Sequence, residues 1–116
     1  MLNFEVTTER DGSSALVRFK GDLDIQVAER AARTVEEVEA DEPSLLVFDL
    51  SGLSFLDSSG MAVIAAAYAR SVDDGRRFVI VNPRGFVRRA FEVSGLDQSM
   101  EAVDALADVY PASGAS

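Results

Sequence analysis

The sequence predicts a single α/β domain on a mixed β-sheet, in which an N-terminal hairpin leads into parallel strands and about four α-helices flank them. Three observations carry this prediction. Leu45-Leu46-Val47-Phe48-Asp49-Leu50 and Arg77-Phe78-Val79-Ile80-Val81 are nearly unbroken apolar runs, the pattern of strands covered on both faces. Between them, Met61 to Ala69 is apolar throughout and holds five alanines, small enough to let a helix lie close against a sheet. Strand, crossover helix and strand make a right-handed βαβ unit with a parallel pair.

The other elements follow in chain order. Phe4 and Val6 share one face of an alternating segment, and Ala15, Val17 and Phe19 share one face of the next. Asp11-Gly12 between them supplies a hairpin turn, and Glu5, Arg18 and Lys20 mark the solvent side. Gly21-Asp22-Leu23-Asp24 interrupts the alternation. Val27, Ala28, Ala31, Ala32, Val35 and Val38 then recur at helical spacing, which predicts a helix over about residues 25–40, stopped by Pro43. Val27, Ala31 and Val35 are assigned to the core. Phe55 and Leu56 fall in a loop after the first buried strand, either exposed for docking or tucked under the helices. Pro83 opens a third helix with Val87, Ala90 and Phe91 inward, and Gly95 closes it. Val103, Leu106 and Tyr110 fit a final helix, while Met100 to Val103 fits a short last strand equally well. The domain is expected over residues 1–110, with 111–116 as a frayed tail.

Composition narrows the function. At 116 residues and 47% hydrophobic content the chain holds one core. Its net charge of -9 disfavours nucleic acid and anionic membranes as partners. With neither cysteine nor histidine, thiolate and imidazole metal sites are excluded and no cofactor is implied. Asp22, Asp24 and Asp57 could hold Mg²⁺, but a loop Asp before a helix more commonly acts as a cap. The N-terminus has no basic stretch followed by an apolar run, and no window approaches the roughly 18 apolar residues of a membrane helix. A soluble cytoplasmic protein is expected.

Asp57-Ser58-Ser59-Gly60 stands where the buried strand hands over to the alanine-rich helix. With Asp57 as N-cap, the serines occupy the first turn, where free amides and the helix dipole favour an added phosphate by roughly 0.3 to 1 kcal/mol. A docked protein would instead meet about -1.5 to -2 extra charge. As a bare tetrapeptide the string is also ordinary capping sequence. Nucleophilic catalysis is disfavoured: a serine needs a neighbouring base, the only lysine is Lys20, and no Gly-x-Ser-x-Gly elbow is present.

Gly21-Asp22-Leu23-Asp24, the block from Asp49 to Met61, and Phe91-Glu92-Val93-Ser94-Gly95-Leu96 together resemble the STAS domain family, and within it the bacterial anti-sigma-factor antagonists. The similarity covers about residues 4–96. It implies a STAS-like fold and a protein that, unphosphorylated, binds an anti-sigma factor of the histidine-kinase-like ATPase type and frees a sigma factor. It further implies that this partner, a serine kinase, phosphorylates Ser58 and that a PP2C-type phosphatase reverses the step. The partner surface so implied comprises Asp22, Asp24, Asp57, Ser58, Ser59, Gly60 and Met61. Asp22 stands where Glu is common in the family and Met61 where Leu is common; the region after Leu96 is shorter than usual. The family also contains subunits of stressosomes and lipid-transport complexes, so a structural or regulatory subunit without a phospho-switch is the competing reading. A monomer or weak dimer is expected. Arg84, Arg88 and Arg89 on the third helix, and the acidic run from Glu36 to Glu42, read first as solvated surface, with contact to an acidic partner loop as the alternative for the arginines.

Overall fold

Gly12, at φ +62°, turns the chain between strands β1 (Phe4–Asp11) and β2 (Ser14–Leu23), which pair antiparallel from Phe4↔Gly21 to Asp11↔Ser14. The computed structural model describes residues 3–110, so the tail expected at 111–116 lies outside the described residues. Beyond the hairpin come α1 (Ala28–Glu39), β3 (Leu45–Leu56), α2 (Ser58–Asp74), β4 (Arg77–Val81), α3 (Gly85–Ser94) and β5 (Glu101–Val103). Short 3₁₀ turns cover Leu96–Gln98 and Leu106–Asp108. The strands form one mixed five-stranded sheet in the order β1-β2-β3-β4-β5, with β2 through β5 parallel. No helix among the described residues is long and apolar enough to cross a membrane.

The alternation of β2 divides the core. Ala15, Val17 and Phe19 point to the face that α1, α2 and α3 cover, where they meet Leu46, Phe48, Leu50, Phe78, Ile80, Val35, Ile64 and Phe91. Aromatic rings cross this face from strand to strand: Phe19 and Phe48 stand 5.0 Å apart, Phe48 and Phe78 4.9 Å, both edge to face. Such pairs add about 0.5 to 1.5 kcal/mol each beyond burial. Leu16, Val47, Val79 and Val81 point the other way, and Val109 packs on them with Leu106 and Tyr110. The central strands are thus covered on both sides, as their apolar runs require.

Five features differ from expectation. β2 does not break at Gly21 but runs to Leu23, because Gly21 adopts φ +90° beside a register shift and leaves room for the Asn3 carbonyl, which any Cβ would strike. β3 likewise continues past Leu50, so Phe55 and Leu56 are strand residues and not a loop. α1 starts at Ala28 and not near residue 25, since Asp24 holds the preceding turn. Among the described residues there are three α-helices and not four. The final helix gives way to β5, a three-residue strand in register with Val79–Val81, and the 3₁₀ turn seats Leu106 and Val109 on the second sheet face. α3 begins at Gly85, two residues after Pro83, and Gly95 closes it at φ +80° as expected.

β5 is held at its outer end by Arg77, whose Nη2 and Nε reach the Glu101 carboxylate at 2.6 and 3.0 Å. The hydrogen bond from Arg77 outweighs desolvation and holds the Glu101 carboxyl below the usual range. A depressed folded value means the pair stabilises above the unfolded carboxyl's pKa, near 4.3, and the contribution is lost as pH falls through the folded value. Both side chains are about half exposed, so the effect is small. Glu101→Gln is expected to unfold slightly more easily than the parent at neutral pH, with the difference vanishing in acid; denaturant midpoints at both pH values check this.

Candidate functional site

β3 ends at Leu56 and α2 starts at Ser58, leaving Asp57 alone to make the turn, in extended conformation at φ -102° and ψ -171°. Its two carboxylate oxygens do different work. Oδ1 accepts from the Gly60 amide at 2.9 Å and caps α2, while Oδ2 accepts from the Ile25 amide at 3.0 Å. Its own amide donates to the Leu23 carbonyl at 3.3 Å. One residue therefore caps a helix and clamps the loop between β2 and α1 beside it. Asp57→Ala is expected to cost about 1 to 2 kcal/mol through the lost cap and to speed amide exchange at Ile25, which denaturation and hydrogen-exchange measurements would show.

Asp24 organises that loop. Its Oδ1 accepts from Gln26 N at 3.0 Å, and its carbonyl accepts from Val27 N and Ala28 N at 3.1 and 2.9 Å, which launches α1. Asp22 is the last but one residue of β2, its amide donating to the Asn3 carbonyl at 2.7 Å. The structure thus brings Asp22, Asp24 and Asp57 to the C-terminal ends of β2 and β3, all partly buried. The carboxylates of Asp24 and Asp57 are spent on backbone amides.

Ser58 is exposed, whereas Ser59 is partly buried and Gly60 fully buried. The first helical bond of α2 runs from Met61 N to Asp57 O at 2.9 Å. With Gly60 N given to the Asp57 side chain, the amides of Ser58 and Ser59 have no helical acceptor and mark the positive end of a 17-residue helix. Gly60 is where α2 crosses β2: a Cβ there would collide with the Leu23 carbonyl oxygen and lie 2.8 Å from Leu23 Cγ. Met61, half buried, packs on the core beneath. Lys20 lines a shallow concavity with Glu5, Arg18, Asp49 and Ser51, not the serine turn.

Two site features escaped sequence reasoning. Ile25 is 73% exposed directly beside Asp57, and Phe86 is 57% exposed against Phe55, itself 37% exposed. Leu56, by contrast, is buried, so the two residues treated as one alternative behave oppositely. Only an apolar residue placed inside a capping loop, such as Ile25 after Asp24, hinted at this.

Residues 5–112 match the profile of the STAS domain. The chain belongs to the STAS domain family. Within it, the anti-sigma-F factor antagonist RsfB of Mycobacterium tuberculosis H37Rv is 30% identical over 103 residues, covering 89% of this chain and 84% of that protein. The anti-sigma-B factor antagonist of Listeria monocytogenes is 26% identical over 93 residues, covering 80% and 82%. Among solved structures, an anti-sigma factor antagonist from Mycobacterium paratuberculosis superposes with a TM-score of 0.85 at 28% identity, over 94% of this chain and 92% of that one. Bacillus SpoIIAA in its phosphorylated form shares the fold, with a TM-score of 0.73 at 20% identity, over 91% and 96%. These relatives are regulators named for antagonising anti-sigma factors, not for a reaction they catalyse.

Proposed function

We propose that this STAS domain is an anti-sigma-factor antagonist working by partner switching. Unphosphorylated, it binds an anti-sigma factor of the histidine-kinase-like ATPase type and so releases a sigma factor in the cytoplasm. Phosphorylation of Ser58 by that partner ends the interaction, and a PP2C-type phosphatase restores it. The observation that carries this reading is the exposed Ser58 at the first position of α2, with a neighbouring serine partly withdrawn. Free amides and the helix dipole let the folded domain hold a phosphate there. A protein docked on the same surface must instead accommodate about -1.5 to -2 charge beside Asp22, Asp24 and Asp57. Asp22, Asp24, Ser58 and Ser59 form the contacting face; Asp57, Gly60 and Met61 fix its shape. The SpoIIAA fold in phosphorylated form supports the physical point that such a domain accepts the group.

Incubation with the cognate ATPase-type anti-sigma factor and ATP is expected to add one phosphate, mapping by tandem mass spectrometry to the Asp57-Ser58-Ser59 peptide and absent from Ser58→Ala. A phosphate elsewhere, or none from a partner that binds, contradicts the proposal.

A further inference from the structure

Large apolar side chains exposed among the described residues are Ile25, Phe55, Val72, Phe86 and Val93. Their placement is uneven. Ile25, Phe55 and Phe86 gather at the end of the sheet that presents Ser58. Ile25 stands on the β2 side, its amide tied to Asp57, and Phe55 lies three residues before Ser58 on β3. Phe86, in the first turn of α3, rests its ring 5.1 Å from that of Phe55, at 30° between planes. Arg84 anchors this start of α3 through a 3.2 Å hydrogen bond from Nη2 to the Ser51 carbonyl. Along α3, Phe86, Arg89 and Val93 are exposed on one side, and Val87 and Phe91 are buried on the other. The apolar ledge at Phe55 and Phe86 therefore continues as an outward stripe on the helix.

Charge differs on its two sides. Asp22 and Asp24 lie at the end of β2 and Asp57 caps the serine turn, while Arg84, Arg88 and Arg89 are exposed around Phe86, Arg88 already bridging Glu92 on the same helix at 3.7 Å, in a chain of net charge -9. An anionic membrane would meet repulsion from the acidic side and from the chain as a whole. A two-fold pairing of this stripe with a second copy would set Arg89, at its middle, beside its own counterpart. A protein surface that is apolar at its centre and carries carboxylates at one border suffers neither penalty.

We infer that the Phe55–Phe86 ledge and the outer stripe of α3 form a second half of the docking surface, occupied by the same anti-sigma factor through an apolar patch edged with carboxylates that face Arg84, Arg88 and Arg89. This rests on the reading of Ser58 above and extends it. Phe86 and Phe55 anchor the complex; the arginines set its orientation. Phosphorylation then acts at one border of a surface whose apolar anchors lie along the other.

The test titrates the purified cognate ATPase-type anti-sigma factor, by calorimetry, into parent, Phe86→Ser, Val93→Glu, Arg88→Glu/Arg89→Glu and Ser58→Asp proteins, each first checked for an unchanged thermal transition. Phe86→Ser and Val93→Glu should each weaken binding at least about tenfold, and the double arginine variant should weaken it and flatten its salt dependence. Phe86→Ser and Val93→Glu binding within twofold of the parent overturns the inference, while loss of binding by Ser58→Asp in the same series keeps the switch reading intact. Ser58→Asp binding as the parent does, with Phe86→Ser impaired, removes the switch and leaves the docking surface. Should Phe86→Ser instead convert a dimer to a monomer in sedimentation, or abolish binding to phosphatidylglycerol vesicles, without changing affinity for the anti-sigma factor, the ledge serves another occupant and the inference fails.

Discussion

Ser58→Asp is expected to weaken binding to the ATPase-type anti-sigma factor by about 100-fold or more, while Ser58→Ala stays within a few-fold of the parent. A further anion enclosed in an interface beside Asp22, Asp24 and Asp57 costs several kcal/mol in desolvation and repulsion, and each 1.4 kcal/mol is tenfold in affinity. The effect on folding has the opposite sign. A carboxylate at the first position of α2 meets the free amides of Ser58 and Ser59 and should leave the domain as stable as the parent or more stable by about 0.3 to 1 kcal/mol. That pairing separates a switch from a damaged fold: binding falls while the unfolding midpoint holds or rises. Calorimetric titration alongside denaturant unfolding of the same preparations measures both. Loss of stability together with loss of binding in Ser58→Asp would place the residue in packing instead of at the surface.

Gly60→Ala is expected to destabilise the domain by about 2 to 3 kcal/mol, the upper part of the range for overpacking. In an exposed helix the same change would stabilise by about 1 kcal/mol, since alanine is the better helix former. The sign reverses because the new methyl points at the Leu23 carbonyl, a backbone atom that accepts from Asp57 N and cannot retreat without pulling the cap with it. At about 4 to 8 °C per kcal/mol for a domain near this size, the shift in melting temperature is easily read. Because Gly60 sets how closely α2 lies on β2, Ser58 should also move relative to the end of β2 and the loop after it, so binding should fall with stability. A neutral or stabilising Gly60→Ala would mean that α2 does not rest on Leu23.

Much of this candidate site is legible in the sequence. Asp57 announces a cap because a short carboxylate precedes small residues and an apolar helix, and local rules suffice for that. The βαβ unit was legible for a similar reason: runs as apolar as Leu45–Leu50 and Arg77–Val81 need cover on both faces. What eluded the sequence depends on distant neighbours. Gly21 carries the signature of a turn, yet its missing side chain lets the Asn3 backbone pass, a fact fixed by the edge of the sheet and not by adjacent residues. The spacing of Val103, Leu106 and Tyr110 suits a helix, but in so short a segment the ladder with β4 and burial on Leu16 and Val47 decide the outcome. The second role of Asp57, holding Ile25 in place across 32 positions, has no local signal either. Nor has the exposure of Phe86, which follows from where Arg84 pins the start of α3 against β3.

The proposed switch is a reversible anion at Ser58. Its most direct test is the affinity of one preparation for the anti-sigma factor in three states: as purified, after stoichiometric phosphorylation at Ser58, and after treatment with the PP2C-type phosphatase. Tight binding, loss of binding and full recovery, with circular dichroism unchanged throughout, is the predicted sequence. Equal affinity before and after phosphorylation would contradict it.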